Sequence, residues 1–231
     1  MRKSKDNKKI LIIAPHPDDE VLGCGGIIKK YTKNGYEVYL CIVTRAYTPE
    51  WSKEYINNKE KEIASSNKIL GIKKTFFLDL PTVKLDTIGQ KELNDLILKC
   101  IEKVKPEALY IPFGGDINKD HRLVFESSLV ASRPKPKSSI KKILCYEVLS
   151  ETEWGSFRAK GIKEIFCPNV YIDISDTLGD KLKAMESYKS ELKEYPHPRS
   201  LAGIRVLAQK RGSESGIKAA EAFVLLREIK K

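Results

Sequence analysis

The apolar run Ile10-Leu11-Ile12-Ile13 leads without a break into Ala14-Pro15-His16-Pro17-Asp18-Asp19-Glu20, which carries an imidazole and three carboxylates. A short β-branched run that is apolar on both faces predicts a strand buried on both sides in a parallel sheet. Open α/β sheets keep their sites at the carboxyl ends of such strands. This one junction therefore locates both a core strand and a chemical site. Pro15 and Pro17 restrict the backbone on either side of His16, so the loop presents its side chains in one arrangement. His16 and Asp19 offer one nitrogen and one oxygen to a borderline-soft divalent ion such as zinc. Adjacent Asp18 and Asp19 are expected to point in different directions, so that one binds metal while the other handles protons. Capping of the helix that follows explains acids at this place, but neither the histidine nor the two prolines.

The next stretch, Gly23-Cys24-Gly25-Gly26, is expected to bring backbone close to the loop and to open a helix over 27–33 that Asn34-Gly35 ends. Its glycines do not match G-x-G-x-x-G, and carboxylates already fill the turn where a pyrophosphate would sit. Downstream, strands are predicted over 37–44, 74–78, 107–112 and 142–148, with helices over 53–70, 86–104 and 122–132 between them. This alternation predicts an α/β fold, a Rossmann-like, mainly parallel sheet with helices on both faces. A further strand over 169–174 has no direction set by the sequence. Ser175-Asp176 is expected to cap a helix over 178–192, and another helix over 202–210 stops at Arg211-Gly212-Ser213. The apolar stretch 219–225 suits a packed helix or strand.

A second chemical stretch runs from Pro112 through Asp116, Asn118 and Asp120 to His121, again at a carboxyl strand end. His121 is thereby placed on the same face of the sheet as His16. Catalytic zinc takes three protein ligands and the first stretch supplies two, which makes His121 a candidate for the third. The aromatic segments 47–52 and 150–155, the latter with Trp154, suit loops over a substrate such as a sugar ring. Arg45, Arg122 and Arg199 fall near the expected mouth, where a guanidinium grips phosphate with two parallel hydrogen bonds.

A chain of 231 residues suffices for one well-buried domain, expected over 9–231 behind a basic, flexible tail at 1–8. The five cysteines are scattered and lack C-x-x-C spacing, so they read as reduced thiols in a cytoplasmic protein. Nothing resembles a signal peptide or an integral membrane segment. The formal charge of +11, from 42 Lys and Arg against 31 acids, speaks first to a solvated lysine-rich surface and then to attraction for anions. Nucleic acid is not an expected partner, since no basic stripe interleaves with aromatics. A homo-oligomer is compatible with the sequence.

Pro15-His16-Pro17-Asp18-Asp19-Glu20 with its glycines, and Asp120-His121-Arg122-Leu123-Val124, resemble the two signature motifs of the PIG-L/LmbE-like zinc deacetylases, over most of residues 8–230. These enzymes remove acetyl groups from N-acetylglucosamine-type sugars. The resemblance implies zinc held by His16, Asp19 and His121, with Asp18 as general base. It also implies an N-acetylated sugar substrate, free or linked to phosphate, nucleotide or lipid. Family members commonly carry alanine at the position of Pro15 and histidine at that of Asn118, where the histidine pairs with the aspartate and helps stabilise the tetrahedral intermediate. An asparagine can donate a hydrogen bond there but carries no charge. The only histidine left is His197, fixed between Pro196 and Pro198. It is the expected substitute, with Asp120 as its carboxylate partner. The competing expectation is a carbohydrate-binding or regulatory protein that keeps the metal motif without turnover.

Overall fold

The computed structural model describes residues 8–136, 138–155 and 165–230. The tail expected at 1–8 lies, apart from Lys8, outside them. In chain order the elements are β1 (Lys9–Ala14), α1 (Asp19–Lys33), β2 (Glu37–Arg45), α2 (Lys53–Leu70), β3 (Lys74–Pro81), α3 (Gln90–Val104), β4 (Ala108–Pro112), α4 (Lys119–Ala131), β5 (Lys142–Tyr146), α5 (Thr152–Gly155), β6 (Val170–Asp173), α6 (Leu178–Met185), α7 (Leu201–Ser213) and β7 (Ala220–Glu228). A 3-10 turn at Leu85–Thr87 precedes α3.

The strands form one seven-stranded sheet in the order β3-β2-β1-β4-β5-β7-β6. The pairs from β3 to β5 are parallel, with helical crossovers supplying the long connections that parallel strands need. β7 runs antiparallel to β5, and β6 antiparallel to β7, which settles the direction that the sequence left open. The α/β reading with a mainly parallel sheet and helices on both faces holds. In β1, Ile10, Ile12 and Ala14 join the core under α1 and α6, while Leu11 and Ile13 join the core under α3 and α4. Side chains alternate across a strand, so a strand apolar at every position is one covered on both faces. Each Ile or Leu so buried contributes about 1.5–3 kcal/mol.

Five helices differ from expectation in their bounds: α3 begins at Gln90 rather than at 86, α4 at Lys119 rather than at 122, and α1, α6 and α7 differ as follows. α1 begins at Asp19, so Gly23, Gly25 and Gly26 lie inside the helix rather than before it. They serve close packing: a Cβ on Gly23 would stand 2.2 Å from Cδ2 of Tyr146, and one on Gly26 2.7 Å from Cγ2 of Ile174. α6 stops at Met185, and its cap position is Thr177 rather than Ser175 or Asp176. Thr177 turns its hydroxyl to the carbonyl of Gly26. α7 continues through Arg211 and Gly212, because a Cβ at Gly212 would meet the carbonyl oxygen of Ile217 at 2.4 Å and glycine alone fits there.

The sheet order reverses between β1 and β4. The chain leaves β1 towards α1 on one face and leaves β4 towards α4 on the other. The diverging loops open a crevice at the carboxyl ends of both strands.

Candidate metal centre and catalytic pocket

The loop after β1 is fastened to β2, whose Thr44 donates both its backbone N–H (3.0 Å) and its hydroxyl (2.8 Å) to the carbonyl of Pro15. Asp18 then takes a backbone φ of 107°, the left-handed region that non-glycine residues enter at a cost. Its side chain caps nothing; its N–H donates to Oε2 of Glu20. The hydroxyl of Tyr188 donates to the other oxygen of Glu20. The strained turn sends Asp18 and Asp19 in different directions, Asp18 into a pocket and Asp19 towards the two histidines.

Nδ1 of His16 lies 3.4 Å from Oδ2 of Asp19, Nε2 of His121 lies 3.3 Å from the same oxygen, and the two nitrogens are 3.2 Å apart. Donors with these separations are spaced as the edges of a tetrahedron around an ion held at about 2.0–2.1 Å. The other ring nitrogens face carboxylates: Nε2 of His16 donates to Asp120 at 3.1 Å, and Nδ1 of His121 donates to Asp116 at 2.8 Å. Each carboxylate fixes the tautomer that turns the remaining lone pair inward. Asp120 is itself anchored by the N–H groups of Val83 and Leu85, and Asp116 by the hydroxyl of Thr152. Asp19 is fully buried, yet its Oδ1 has no hydrogen-bond partner. A buried carboxylate with one oxygen facing two inward-turned imidazoles and the other unpartnered fits a divalent cation.

The facing carboxylates favour positive charge between them, whether from protons on the imidazoles or from a cation. Burial pushes the Asp18 carboxyl well above the ordinary carboxylate range, while the Arg199 guanidinium pulls it back. Burial acts to lower His16, but hydrogen bonds to Asp120 and Asp19 outweigh it and hold the imidazole up at about 9. Burial likewise acts to raise Asp19, and the two histidines reverse it, keeping the group a carboxylate.

His16, Asp18 and Asn118 line a pocket of about 280 Å³, with the aromatic rings of Trp51 and Tyr55 and the carboxylates of Glu151 and Glu191 on its walls. Arg199 enters it from the C-terminal segment, with Nη1 3.4 Å from Oδ2 of Asp18 and Nη2 3.1 Å from Oε1 of Glu151. The other expected residues fall elsewhere. Arg45 pairs with Glu60 and Asp79 in a larger cavity of about 560 Å³ between α2 and β3, which holds none of His16, Asp19 and His121. Neither Arg122 nor Trp154 lines the pocket of His16 and Asp18; Trp51 does. His197 packs edge-on against Trp154 at 6.0 Å, and its Nδ1 accepts from the N–H of Arg199. No hydrogen bond or ion pair joins it to Asp120 among the described residues, because His16, Val83 and Leu85 occupy that carboxylate. Asn118 caps α4, its Oδ1 accepting from the N–H of Asp120, and presents its remaining face to the pocket. Asp116 and Glu191 escaped the sequence reading, since nothing in their spacing marks them. Asp116 had one signal, its position after Gly114-Gly115 in the loop that carries His121.

The sequence profile described as PIG-L: GlcNAc-PI de-N-acetylase matches residues 11–132, which span both ligand loops and more than half of the chain. The chain belongs to this family. Among its relatives in the PIG-L family is diacetylchitobiose deacetylase of Thermococcus kodakarensis, 29% identical over 232 residues, 94% of this chain and 83% of that one. Another, from Bacillus anthracis, bears the name "Probable N-acetyl-alpha-D-glucosaminyl L-malate deacetylase 2" and is 28% identical over 199 residues, 81% of this chain and 83% of that one. The fold is shared with N,N'-diacetylchitobiose deacetylase of Pyrococcus horikoshii, at a TM-score of 0.74 and 24% identity, covering 96% of this chain and 85% of that one.

Proposed function

We propose that the protein is a zinc-dependent N-deacetylase that hydrolyses the acetamide of an N-acetylglucosamine-type sugar to acetate and a free amine. The observation that carries this reading is the mutual 3.2–3.4 Å spacing of His16 Nδ1, Asp19 Oδ2 and His121 Nε2 at the wall of the pocket into which Asp18 projects. The names of the relatives support the substrate class.

His16, Asp19 and His121 would hold the zinc, which supplies a Lewis acid for the acetamide carbonyl and a water acidified to a pKa of about 7. Asp18 takes the proton from the attacking water and returns it to the leaving nitrogen, the work of a single carboxylate acting first as base and then as acid. Burial favours its protonated form and the Arg199 guanidinium opposes that shift, so both forms of a proton-shuttling carboxyl have support. Asp116 and Asp120 keep the imidazoles oriented. Trp51 and Tyr55 supply flat apolar faces, and Glu151 and Glu191 supply acceptors for hydroxyl groups, a combination that suits a sugar ring. A phosphate is a poorer fit for this pocket, whose lining carries the acids Asp18, Glu151 and Glu191 against the cations Lys59 and Arg199. No helix among the described residues is long and apolar enough to cross a membrane.

The test is acetate release by the zinc-loaded protein from N-acetylglucosamine, N,N'-diacetylchitobiose and nucleotide- or lipid-linked N-acetylhexosamines. Release from at least one, abolished by chelation and restored by zinc, is the expected result. Sugar binding without acetate from any of them would replace this reading with that of a carbohydrate-binding protein, which the uncharged Asn118 favours.

A further inference from the structure

We propose that Arg199 stabilises the oxyanion formed when the acetamide is attacked, a role that rests on the deacetylase reading above. In that step a bond forms between the water oxygen and the carbonyl carbon, the carbonyl π pair moves onto its oxygen, and the water proton passes to Asp18. On collapse the oxygen pair re-forms the carbonyl, the C–N bond breaks, the nitrogen keeps that pair and takes the proton from Asp18, and the acetic acid left gives its own proton to the amine or to solvent to become acetate. The oxygen that gains charge needs a donor already aimed into the pocket, where a fixed cation is worth more than in water.

Lys59 and Arg199 are the Lys and Arg side chains of the pocket lining. Lys59 is committed: its Nζ lies 2.5 Å from Oγ of Ser190, 2.5 Å from Oε1 of Glu191 and 3.3 Å from Oε2 of Glu62. Arg199 is held closely at two nitrogens and more loosely at the third. Its Nε donates to Oγ of Ser150 at 2.7 Å, and its Nη2 donates to Glu151 at 3.1 Å. Its Nη1 makes long contacts, 3.4 Å to Asp18 and 3.8 Å to Glu191. Lys59 holds Oε1 of Glu191, and the other oxygen of that carboxylate is the one that faces Nη1.

The backbone under Arg199 is equally fixed. Ser200 caps α7 by accepting the N–H of Gly203, and the carbonyl oxygen of Pro198 lies where a Cβ on Gly203 would be, at 2.3 Å. On the opposite wall, Ser150 adopts a φ of 67° and its N–H donates to Glu153, which sets its hydroxyl to receive Nε. A guanidinium gripped at two nitrogens from a rigid turn, with the third beside the base, loses little freedom on binding the oxyanion. Always charged, it exchanges no proton, which leaves proton transfer to Asp18.

The experiment compares Arg199→Ala and Arg199→Lys with the wild type in the zinc-loaded state, following acetate release, bound zinc, thermal melting and the affinity for acetate by calorimetry. In Arg199→Ala, kcat falls by about a hundredfold to a thousandfold. KM for the sugar moves by less than about threefold, zinc stays bound, and acetate binds more weakly. Guanidinium chloride at low millimolar concentration restores part of kcat, and potassium chloride at equal ionic strength does not. Arg199→Lys keeps the charge but not the fork and lies between; it carries the comparison if the alanine variant does not fold. A kcat for Arg199→Ala within about threefold of wild type, or a loss confined to KM, overturns the proposal. If the wild type releases no acetate, the deacetylase reading fails by itself. Equal acetate affinity in wild type and Arg199→Ala would then remove the role of Arg199 as an anion donor as well.

Discussion

Nε2 of His121 lies 3.3 Å from Oδ2 of Asp19, across the gap between the loops that leave β1 and β4. Both side chains are fully buried, and beyond Asp116 on Nδ1 of His121 their neighbours here are each other and His16. Asp19→Ala and His121→Ala should each lose tightly bound zinc, since each removes one of three protein ligands. Asp18→Asn should keep the metal and lose about a hundredfold or more in turnover. Zinc content by elemental analysis beside acetate release separates the two cases; zinc loss in Asp18→Asn would exchange the roles of Asp18 and Asp19.

Asp116 holds Nδ1 of His121 at 2.8 Å and is itself held by Thr152. Asp116→Asn keeps the shape but weakens the acceptor, and about a 10–100-fold loss of zinc affinity is expected. Competition with a chelator measures it. An unchanged affinity would show that His121 is positioned by its helix alone.

Trp51 lines the catalytic pocket, whereas Trp154 packs on His197 outside it. Trp51→Ala should raise KM for the sugar about tenfold, the loss of one aromatic face. Trp154→Ala should change it by less than about twofold. The reverse order of effects would move the sugar to the α5 side of the pocket.

A methyl group on Gly23 would stand 2.2 Å from Cδ2 and 2.8 Å from Cγ of Tyr146, a buried ring whose hydroxyl is tied to the carbonyl of Ile13. The ring cannot give way without breaking that bond. Gly23→Ala should lower unfolding free energy by about 1–3 kcal/mol, read from urea melts. A neutral result would mean that β5 and α1 slide apart at little cost.

Burial acts to raise the Glu191 carboxyl, but hydrogen bonding and charge from Lys59 outweigh it and leave the group below its ordinary 4.5. A folded pKa below the unfolded one stabilises the protein above about pH 4.5, and that stability is lost as the pH falls through the folded value. Lys59→Met, compared with wild type in the metal-free state, should show a deficit in unfolding free energy that is largest near neutrality and shrinks below that pH. A deficit independent of pH would assign Lys59 a packing role only.

The strands and the ligand loops were legible in the sequence because their causes are local. Ile10 to Ile13 are apolar whatever surrounds them, and the prolines beside His16 restrict their own backbone. Alternation of strand and helix then favours parallel pairing, and parallel pairing puts both ligand loops at one edge of the sheet. The start of α1 was misplaced for the opposite reason: glycine disfavours helix locally, and the packing of Tyr146 and Ile174 against Gly23 and Gly26 overrides that preference.

The polar groups around the metal-ligating residues were decided by tertiary structure alone. His197 and Arg199 are two residues apart in a proline-fixed turn, and composition favoured the histidine, yet the turn points the arginine at Asp18 and packs the histidine on Trp154. Which of two neighbours enters a pocket depends on the direction of Cβ after the chain has been closed around it. That direction is set by Ser150, Glu151 and the cap of α7, contacts with no periodicity or spacing along the sequence. The sequence alone was enough for the parallel strands β1 to β5 and for the three residues that meet between β1 and β4; the directions of β6 and β7, and the charge that faces Asp18, came from the packed molecule.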